Sequence, residues 1–264
     1  MDLQLNDKLA LVTGSTGGIG LAIAIRLASE GARVIVNGRT QKRVDEALAK
    51  IRDVHPDAKL ESFAGDLGQA SGATEILAKF PTVDILVNNL GIFEPKAFED
   101  IPDEDWTRFF EVNFLSGVRL SRSYLPGMRT KNWGRIVFIS SESGVNIPVE
   151  MIHYGVTKTM QIALGRGLAE TTSGTGITVN SVLPGPTWSE GVEQFIKDLA
   201  RSQNKTADQT EKEFFETARP SSLLRRFAST DEVASLVAYV ASPLASATNG
   251  AALRAEGGLL RGIL

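Results

Sequence analysis

Tyr154 and Lys158 stand four residues apart in the run Tyr154-Gly155-Val156-Thr157-Lys158, a spacing that puts both on one face of a helix. A phenol with a pKa of about 10 is a poor acid–base group at neutral pH, and a nearby ammonium lowers that value by favouring the phenolate. A tyrosine tuned in this way can give a proton to a forming alkoxide or take one from an alcohol. Ser141 follows the apolar run GRIVFIS upstream of this pair. Its hydroxyl stands where the carboxyl edge of a parallel sheet would bind a ligand.

A second constellation lies near the start of the chain. Thr13-Gly14-Ser15-Thr16-Gly17-Gly18-Ile19-Gly20 sits between a strand-like run and a helical stretch. Gly14, Gly18 and Gly20 let the backbone turn sharply and approach a pyrophosphate, whose charge meets free N–H groups at the helix N-terminus. Ser15, Thr16 and Ile19 belong to the same turn. A site for NAD places an acid about 20 residues further on, at the end of the second strand, for the ribose 2′-hydroxyl. The chain reads Asn37-Gly38-Arg39 there, with no carboxylate. Arg39 offers a forked cation to a 2′-phosphate, and Gly38 leaves room for it. The expectation is NADP(H) rather than NAD(H).

These residues need a frame, and the chain alternates short apolar strands with helices, the pattern of a parallel sheet wrapped by helices. Strands are expected at 8–13, 33–37, 60–64, 85–88, 135–140, 178–182 and 253–255, and helices at 18–30, 41–54, 103–124 and 154–171. They are consistent with one doubly wound α/β sheet of seven strands, a Rossmann fold in a single domain spanning 1–264. Asn113 places an amide inside the long helix 103–124. Residues 186–222 are too long for an ordinary connection. With Trp188, Phe195, Phe214 and Phe215 in it, this insertion reads equally as a substrate lid or as a surface helical hairpin over the sheet end.

Composition narrows the classes. With 264 residues, 42% hydrophobic and 22% charged, the chain suits one large domain and is not disordered. A net charge of −3 gives no basic footprint for nucleic acid. Cysteine is absent, which excludes disulfides and thiolate metal sites. His55 and His153 are too far apart for a helix-borne ligand pair, so no metal is expected. No apolar run approaches the roughly 18 residues of a membrane span, and no signal-peptide layout opens the chain. A cytoplasmic protein with no membrane partner is expected.

The T-G-x-x-x-G-x-G turn, the order Asn113, Ser141, Tyr154, Lys158 and the pair Pro184-Gly185 together resemble the short-chain dehydrogenase/reductase family, from Lys8 to roughly Gly258. The resemblance implies Tyr154 as general acid/base and Ser141 as a donor holding the substrate oxygen. It implies that Lys158 lowers the tyrosine pKa and binds the nicotinamide ribose, and that Asn113 holds a water linking Lys158 to a proton relay. Asp66 and Leu67 resemble the pair at the adenine ring. Asn88-Asn89-Leu90-Gly91 resembles the family's N-N-A-G that lines the cofactor, with Leu90 in place of alanine. Thr187 would bond the nicotinamide carboxamide, with Ser189 a competitor for that role. Ala255-Glu256-Gly257-Gly258 replaces a usual Val-Asp-Gly-Gly beside the closing strand.

The implied reaction moves a hydride between nicotinamide and carbonyl carbon while Tyr154 exchanges a proton with the oxygen. For NADP(H) in this family, reduction of a ketone or aldehyde is the expected direction. The alternatives are an NAD-linked alcohol dehydrogenase and a non-catalytic NADP(H)-binding sensor or scaffold. The substrate pocket is expected from 92–96, 143–151 and 186–222, with Phe93, Ser143, Val145, Ile147, Pro148, Met151, Trp188 and Phe195 forming an apolar or aromatic wall. Glu94, Glu142, Asn146 and Glu150 read either as orienting a polar substituent of the substrate or, more readily, as solvated loop residues, and His153 as a packing or surface residue. Gly165 and Gly167, each costing about 1 kcal/mol inside a helix, suggest a close helix neighbour. The resemblance implies a homo-oligomer, usually a tetramer, pairing helices 103–124 and 154–171 across an interface. The other reading has these glycines facing the protein's own sheet.

Overall fold

The computed structural model describes residues 2–203 and 205–263. Its first half runs β1 (Leu9–Val12), α1 (Gly18–Ser29), β2 (Arg33–Gly38), α2 (Gln41–Val54), β3 (Leu60–Ala64), α3 (Ala70–Lys79) and β4 (Ile85–Asn88). Then come α4 (Asp103–Phe109), α5 (Ser116–Lys131), β5 (Gly134–Ile139), α6 (Ile152–Glu170) and β6 (Ile177–Pro184). The chain finishes with β7 (Thr187–Trp188), α7 (Glu190–Ser202), α8 (Ala207–Glu213), β8 (Ala228–Ser229), α9 (Thr230–Val240) and β9 (Ala252–Ala255). Seven strands form one sheet in the order β3-β2-β1-β4-β5-β6-β9, and every pairing in it is parallel.

Alternate residues of each strand point to opposite faces, and the apolar sequence fills both. Val12, Val34, Val36, Val87 and Val137 pack with α1, α2 and α9 on one side. Leu11, Ile35, Leu86, Ile136 and Phe138 pack with α3 and α5 on the other. This two-sided burial explains why the strands read as continuous apolar runs rather than alternating ones. The order reverses at β1 and β4, so the loops after these two strands diverge and leave a crevice at the carboxyl edge.

The expected helix 103–124 is instead α4 and α5 joined by a π-helical stretch, Phe110–Leu115, and it continues to Lys131. Wide turns of this kind often mark functional positions, and this one holds Asn113. Gly165 faces the protein's own sheet: a Cβ there would lie 2.8 Å from Ser181 Oγ. At Gly167 a Cβ would meet nothing within 4 Å.

The insertion reaches beyond 222. Its first and last residues pair as a short parallel ribbon, Thr187 with Ala228 and Trp188 with Ser229. Between them α7 and α8 enclose a separate apolar cluster of Ile196, Phe215 and Phe227. The segment is thus a helical hairpin, and it also supplies one wall of the crevice. The side chain of Phe195 lies outside the described residues.

Candidate active site

The glycine turn is built for close approach. Gly14 and Gly18 adopt φ of +61° and +53°, a region that side chains with a Cβ rarely occupy. A Cβ on Gly20 would fall 2.4 Å from Asn89 Nδ2 and 2.5 Å from the Gly14 carbonyl oxygen. Asn89 Nδ2 donates to the Thr13 and Gly14 carbonyls at 2.9 and 3.2 Å, which ties the loop after β4 to the turn after β1. Asn37 does the same from β2, accepting from the Gly14 N–H at 3.0 Å. Ser15 Oγ donates to the Val12 carbonyl at 2.8 Å and accepts from Asn37 N–H at 2.9 Å. No side chain caps α1, and its first turn holds no acid. Its free N–H groups and positive dipole end therefore fit a pyrophosphate. Arg39 is exposed beyond Gly38. Thr16 lies beside Gly38, Asp66 is exposed with Oδ1 accepting from Gly68 N–H at 2.9 Å, and Leu67 is buried.

Ser141, Tyr154 and Lys158 converge on a single cavity of ≈ 310 Å³, which also takes in Ile19, Asn89, Gly91 and the segment Pro184–Thr187. Lys158 is buried, and its Nζ donates to the Ile139 carbonyl at 2.9 Å and to Gln161 Oε1 at 3.3 Å. It stands 5.5 Å from the centre of the Tyr154 ring. Burial pushes the Lys158 ammonium down to about 7 and the Tyr154 phenol up to about 12. The hydroxyl of Ser141, hydrogen-bonding to Tyr154, opposes the phenol's shift, as does the Arg219 charge. This reverses the expected lowering of the tyrosine. Desolvation favours the neutral form of both groups.

Asn113 does not line the cavity. Its side chain accepts from Ile92 N–H at 2.8 Å and donates to the Ile92 carbonyl and to Thr157 Oγ1, both at 3.0 Å. It thereby fixes the loop after β4 next to Gly91, where a Cβ would lie 3.4 Å from Lys158 Nζ. The Asn113 main-chain carbonyl accepts from Gln161 Nε2 at 2.6 Å. Gln161 was not legible as a site residue; its one signal is a polar side chain one turn beyond Lys158 on a buried helix face.

Of the expected pocket residues, Phe93, Ser143 and Met151 line the cavity, with Thr187 and Ser189 at its far side. Phe93 meets the Tyr154 ring edge-on at 6.5 Å. Thr187 Oγ1 donates to the Gly185 carbonyl at 2.9 Å, while Ser189 caps α7. Val145 and Trp188 are not on the cavity wall. Val145 is 57% exposed, because the short helical turn after Ser141 directs it outward. The ring of Trp188 packs on Phe227, 5.3 Å between centres. Ile147 and Pro148 also lie off the wall.

Glu142 departs most from expectation, being 3% exposed rather than solvated. Its Oε1 accepts from Arg219 Nε at 3.2 Å, and Arg219 Nη1 donates to Glu150 Oε1 at 3.2 Å. Burial raises the Glu142 carboxyl above its usual range, against the pull of Arg219 and of the Ser143 hydroxyl. His153 is fully buried, its ring 4.0 Å from that of Phe109, and burial pushes its pKa down. That is a packing role. Leu90 packs against the core below α3 and α5, and Glu256 turns back to accept from Leu259 N–H and Leu260 N–H.

Among the described residues no group of His, Asp and Glu could hold a metal ion, and no helix is long and apolar enough to cross a membrane. Residues 8–200 match the family model for short chain dehydrogenases. The chain is 50% identical over the full length of both chains to YvaG of Bacillus subtilis, an uncharacterized oxidoreductase. It is 33% identical to D-beta-hydroxybutyrate dehydrogenase of Cupriavidus necator, covering 97% of this chain and 98% of that one. L-sorbose reductase of Gluconobacter frateurii, solved with NADPH and L-sorbose, superposes with a TM-score of 0.93 over 100% of both chains at 28% identity. With its parallel sheet, glycine turn and Ser141–Tyr154–Lys158 cavity, the chain belongs to the short chain dehydrogenases, oxidoreductases of CH–OH and C=O groups.

Proposed function

We propose that the protein reduces a ketone or aldehyde to an alcohol with NADPH, using Tyr154 as general acid. The observation that carries this reading is that Ser141, Tyr154 and Lys158 meet in one cavity with Ile19 of the glycine turn. When bound, the reduced cofactor supplies a hydride to the carbonyl carbon. Ser141 holds the carbonyl oxygen. Tyr154 gives its proton to that oxygen as it becomes an alkoxide, and burial keeps the phenol charged with that proton at neutral pH. Lys158 stands one helical turn away to stabilise the phenolate when protonated and to bond the ribose. Asn113 positions rather than reacts, by holding Ile92 and with it the Gly91 floor.

Gly14, Ser15, Thr16, Gly18, Ile19 and Gly20 would hold the pyrophosphate end. Asp66 and Leu67 would flank the adenine, and Asn89, Gly91, Pro184, Gly185 and Thr187 the nicotinamide. Arg39 and the missing acid favour NADPH over NADH. Arg43 adds a second cation nearby, 3.8 Å from where a Gly17 Cβ would sit. The bound NADPH of the sorbose reductase supports the same choice. Val192, Phe214 and Arg219 of the hairpin after Pro186 line the cavity, which supports reading that hairpin as a substrate lid. The open face at Gly167 supports a homo-oligomer in which α5 and α6 meet their copies.

The test follows NADPH absorbance with a panel of ketones, aldehydes and quinones. Tyr154→Phe should abolish turnover while NADPH still binds; unchanged turnover removes Tyr154 from the reaction. Tight NADPH binding with no turnover on any carbonyl would favour the sensor reading.

A further inference from the structure

Arg219 ends the π-helical turn Phe214–Ala218 of the hairpin, and its guanidinium lies 5.7 Å from the centre of the Phe214 ring. From there it reaches the segment that follows β5. Its Nε donates to Glu142 Oε1 and its Nη1 to Glu150 Oε1, at 3.2 Å each. The two pairs differ in kind. The Glu150 side chain is 45% exposed, so water screens its charge. The side chains of Arg219 and Glu142 are 11% and 4% exposed, so their pair is cut off from solvent. Glu142 opens the short helical turn Glu142–Gly144 that Ser141 caps, the Ser141 hydroxyl accepting from Ser143 N–H at 3.1 Å. Arg219, Glu142 and Tyr154 line one cavity.

A carboxylate in this place is unfavourable unless it is matched. Burial is the main reason that the Glu142 carboxyl stands above its ordinary range; Arg219 and the Ser143 hydroxyl pull it down, and Glu150 pushes it up. The Tyr154 phenol feels the same charges. After burial and the hydrogen bond with Ser141, Glu142 raises it and Arg219 lowers it. We propose that Arg219 is a positioning residue for proton transfer, its guanidinium balancing the Glu142 carboxylate so that no net negative charge stands beside Tyr154. This rests on the carbonyl-reductase reading above, in which Tyr154 must release a proton.

As Tyr154 gives up its proton it becomes an anion, and an unbalanced carboxylate nearby opposes that change. Removing one partner of a buried pair leaves the other as an uncompensated charge. Without Arg219, Glu142 would either stay charged near the phenol or take up a proton. The Ala218 carbonyl, accepting from Arg219 Nη1 at 2.8 Å, helps to hold the guanidinium in place. Glu142 follows β5 and Tyr154 stands on α6, whereas the balancing cation comes from the hairpin. The wall that shapes the substrate pocket therefore also completes the electrostatics of the phenol.

Four full-length proteins test this: the natural chain, Arg219→Met, Arg219→Lys and the double variant Arg219→Met with Glu142→Gln. Lys158 titrates in all four, so only differences from the natural chain count. Thermal melting without cofactor reads the charge alone. A carboxyl that holds its proton more tightly when folded costs stability as pH rises above its ordinary 4.5. Between pH about 5 and about 8, Arg219→Met should lose more melting temperature than the natural chain, and the double variant less than Arg219→Met. Turnover is followed with NADPH and whichever ketone the panel above shows to be reduced. At pH about 8 the kcat of Arg219→Met should fall about 10-fold, and the loss should shrink towards acid as Glu142 takes a proton. The double variant should regain most of that kcat and lose the extra pH dependence. Arg219→Lys, which keeps the charge but not the fork, should lie between. If Arg219→Met fails to fold, a folded double variant shows the same rescue, and a double variant that also fails overturns the counter-charge. A double variant no better than Arg219→Met in melting and kcat, or a kcat in Arg219→Met equal to that of the natural chain across pH, overturns the role of Arg219 and leaves the reductase reading standing. No turnover of any ketone, by a natural chain that binds NADPH, overturns both.

Discussion

Gln161 bridges to Asn113 across two helices, its Nε2 donating to the Asn113 main-chain carbonyl at 2.6 Å while its Oε1 accepts from Lys158 Nζ at 3.3 Å. The π-helical stretch Phe110–Leu115 changes the ladder around that carbonyl, and the chain itself supplies the partner. The resemblance implied a water held by Asn113; Gln161 fills one of the two acceptor positions of the Asn113 carbonyl. Gln161→Leu would leave the Asn113 carbonyl buried without its donor, at a cost of roughly 1–3 kcal/mol. Thermal melting should show that loss, and turnover should fall because Lys158 is no longer held from this side. An unchanged melting temperature would mean that another group takes over both contacts.

Gly165 and Gly167 separate two explanations for glycine in α6. Gly167→Ala should stabilise the isolated subunit by about 1 kcal/mol, since nothing meets the new methyl group and helix propensity improves. Gly165→Ala should destabilise it, because the methyl group would press on Ser181 Oγ. Melting and sedimentation of both variants check this. A smaller assembly in Gly167→Ala would show that another subunit lies against that face.

Arg39→Ala should raise the Kd for NADPH by about 10-fold and leave that for NADH nearly unchanged, the loss of one charge-assisted phosphate contact. Fluorescence titration of both cofactors measures it. Equal weakening of the two would assign Arg39 to the turn rather than to the 2′-phosphate.

Lys158 carries a pH signature. Below pH 7 both folded and unfolded chains hold its proton, and the folded state bears the cost of burying the charge. From about 7 up to its ordinary value of 10.5 only the unfolded chain binds the proton, so that cost fades and stability climbs with pH. The slope is up to roughly 1.4 kcal/mol per pH unit. Lys158→Met removes it. Denaturation of both proteins without cofactor at pH about 6.5 and about 9.5 should show the natural chain gaining on the variant; parallel curves would contradict a buried, readily deprotonated lysine.

The parallel sheet was legible because its central strands are buried on both faces, so Ile85–Asn88 coincides with its apolar run. The glycine turn and the Tyr154–Lys158 pair were legible because local backbone geometry fixes the spacing of such groups. What escaped depends on contacts across the fold. Glu142 reads as a loop acid until Arg219, from the far insertion, covers it. Gln161 gains its meaning from a π-helical turn that no residue pattern announces. The fate of Val145 and Trp188 was set by a single short turn and by the ring of Phe227. The insertion ends at Ser229 rather than 222 because strand pairing of two residues leaves almost no periodic signal.

Because Thr187–Trp188 and Ala228–Ser229 lie side by side, the stretch between them leaves the scaffold and rejoins it at nearly one point. With its aromatic nucleus of Phe215 and Phe227, it is a cassette. Grafting a different one onto the same stem would rewrite which molecules are admitted while the sheet and its chemistry stay as they are, and selection can remodel appetite without reinventing the engine.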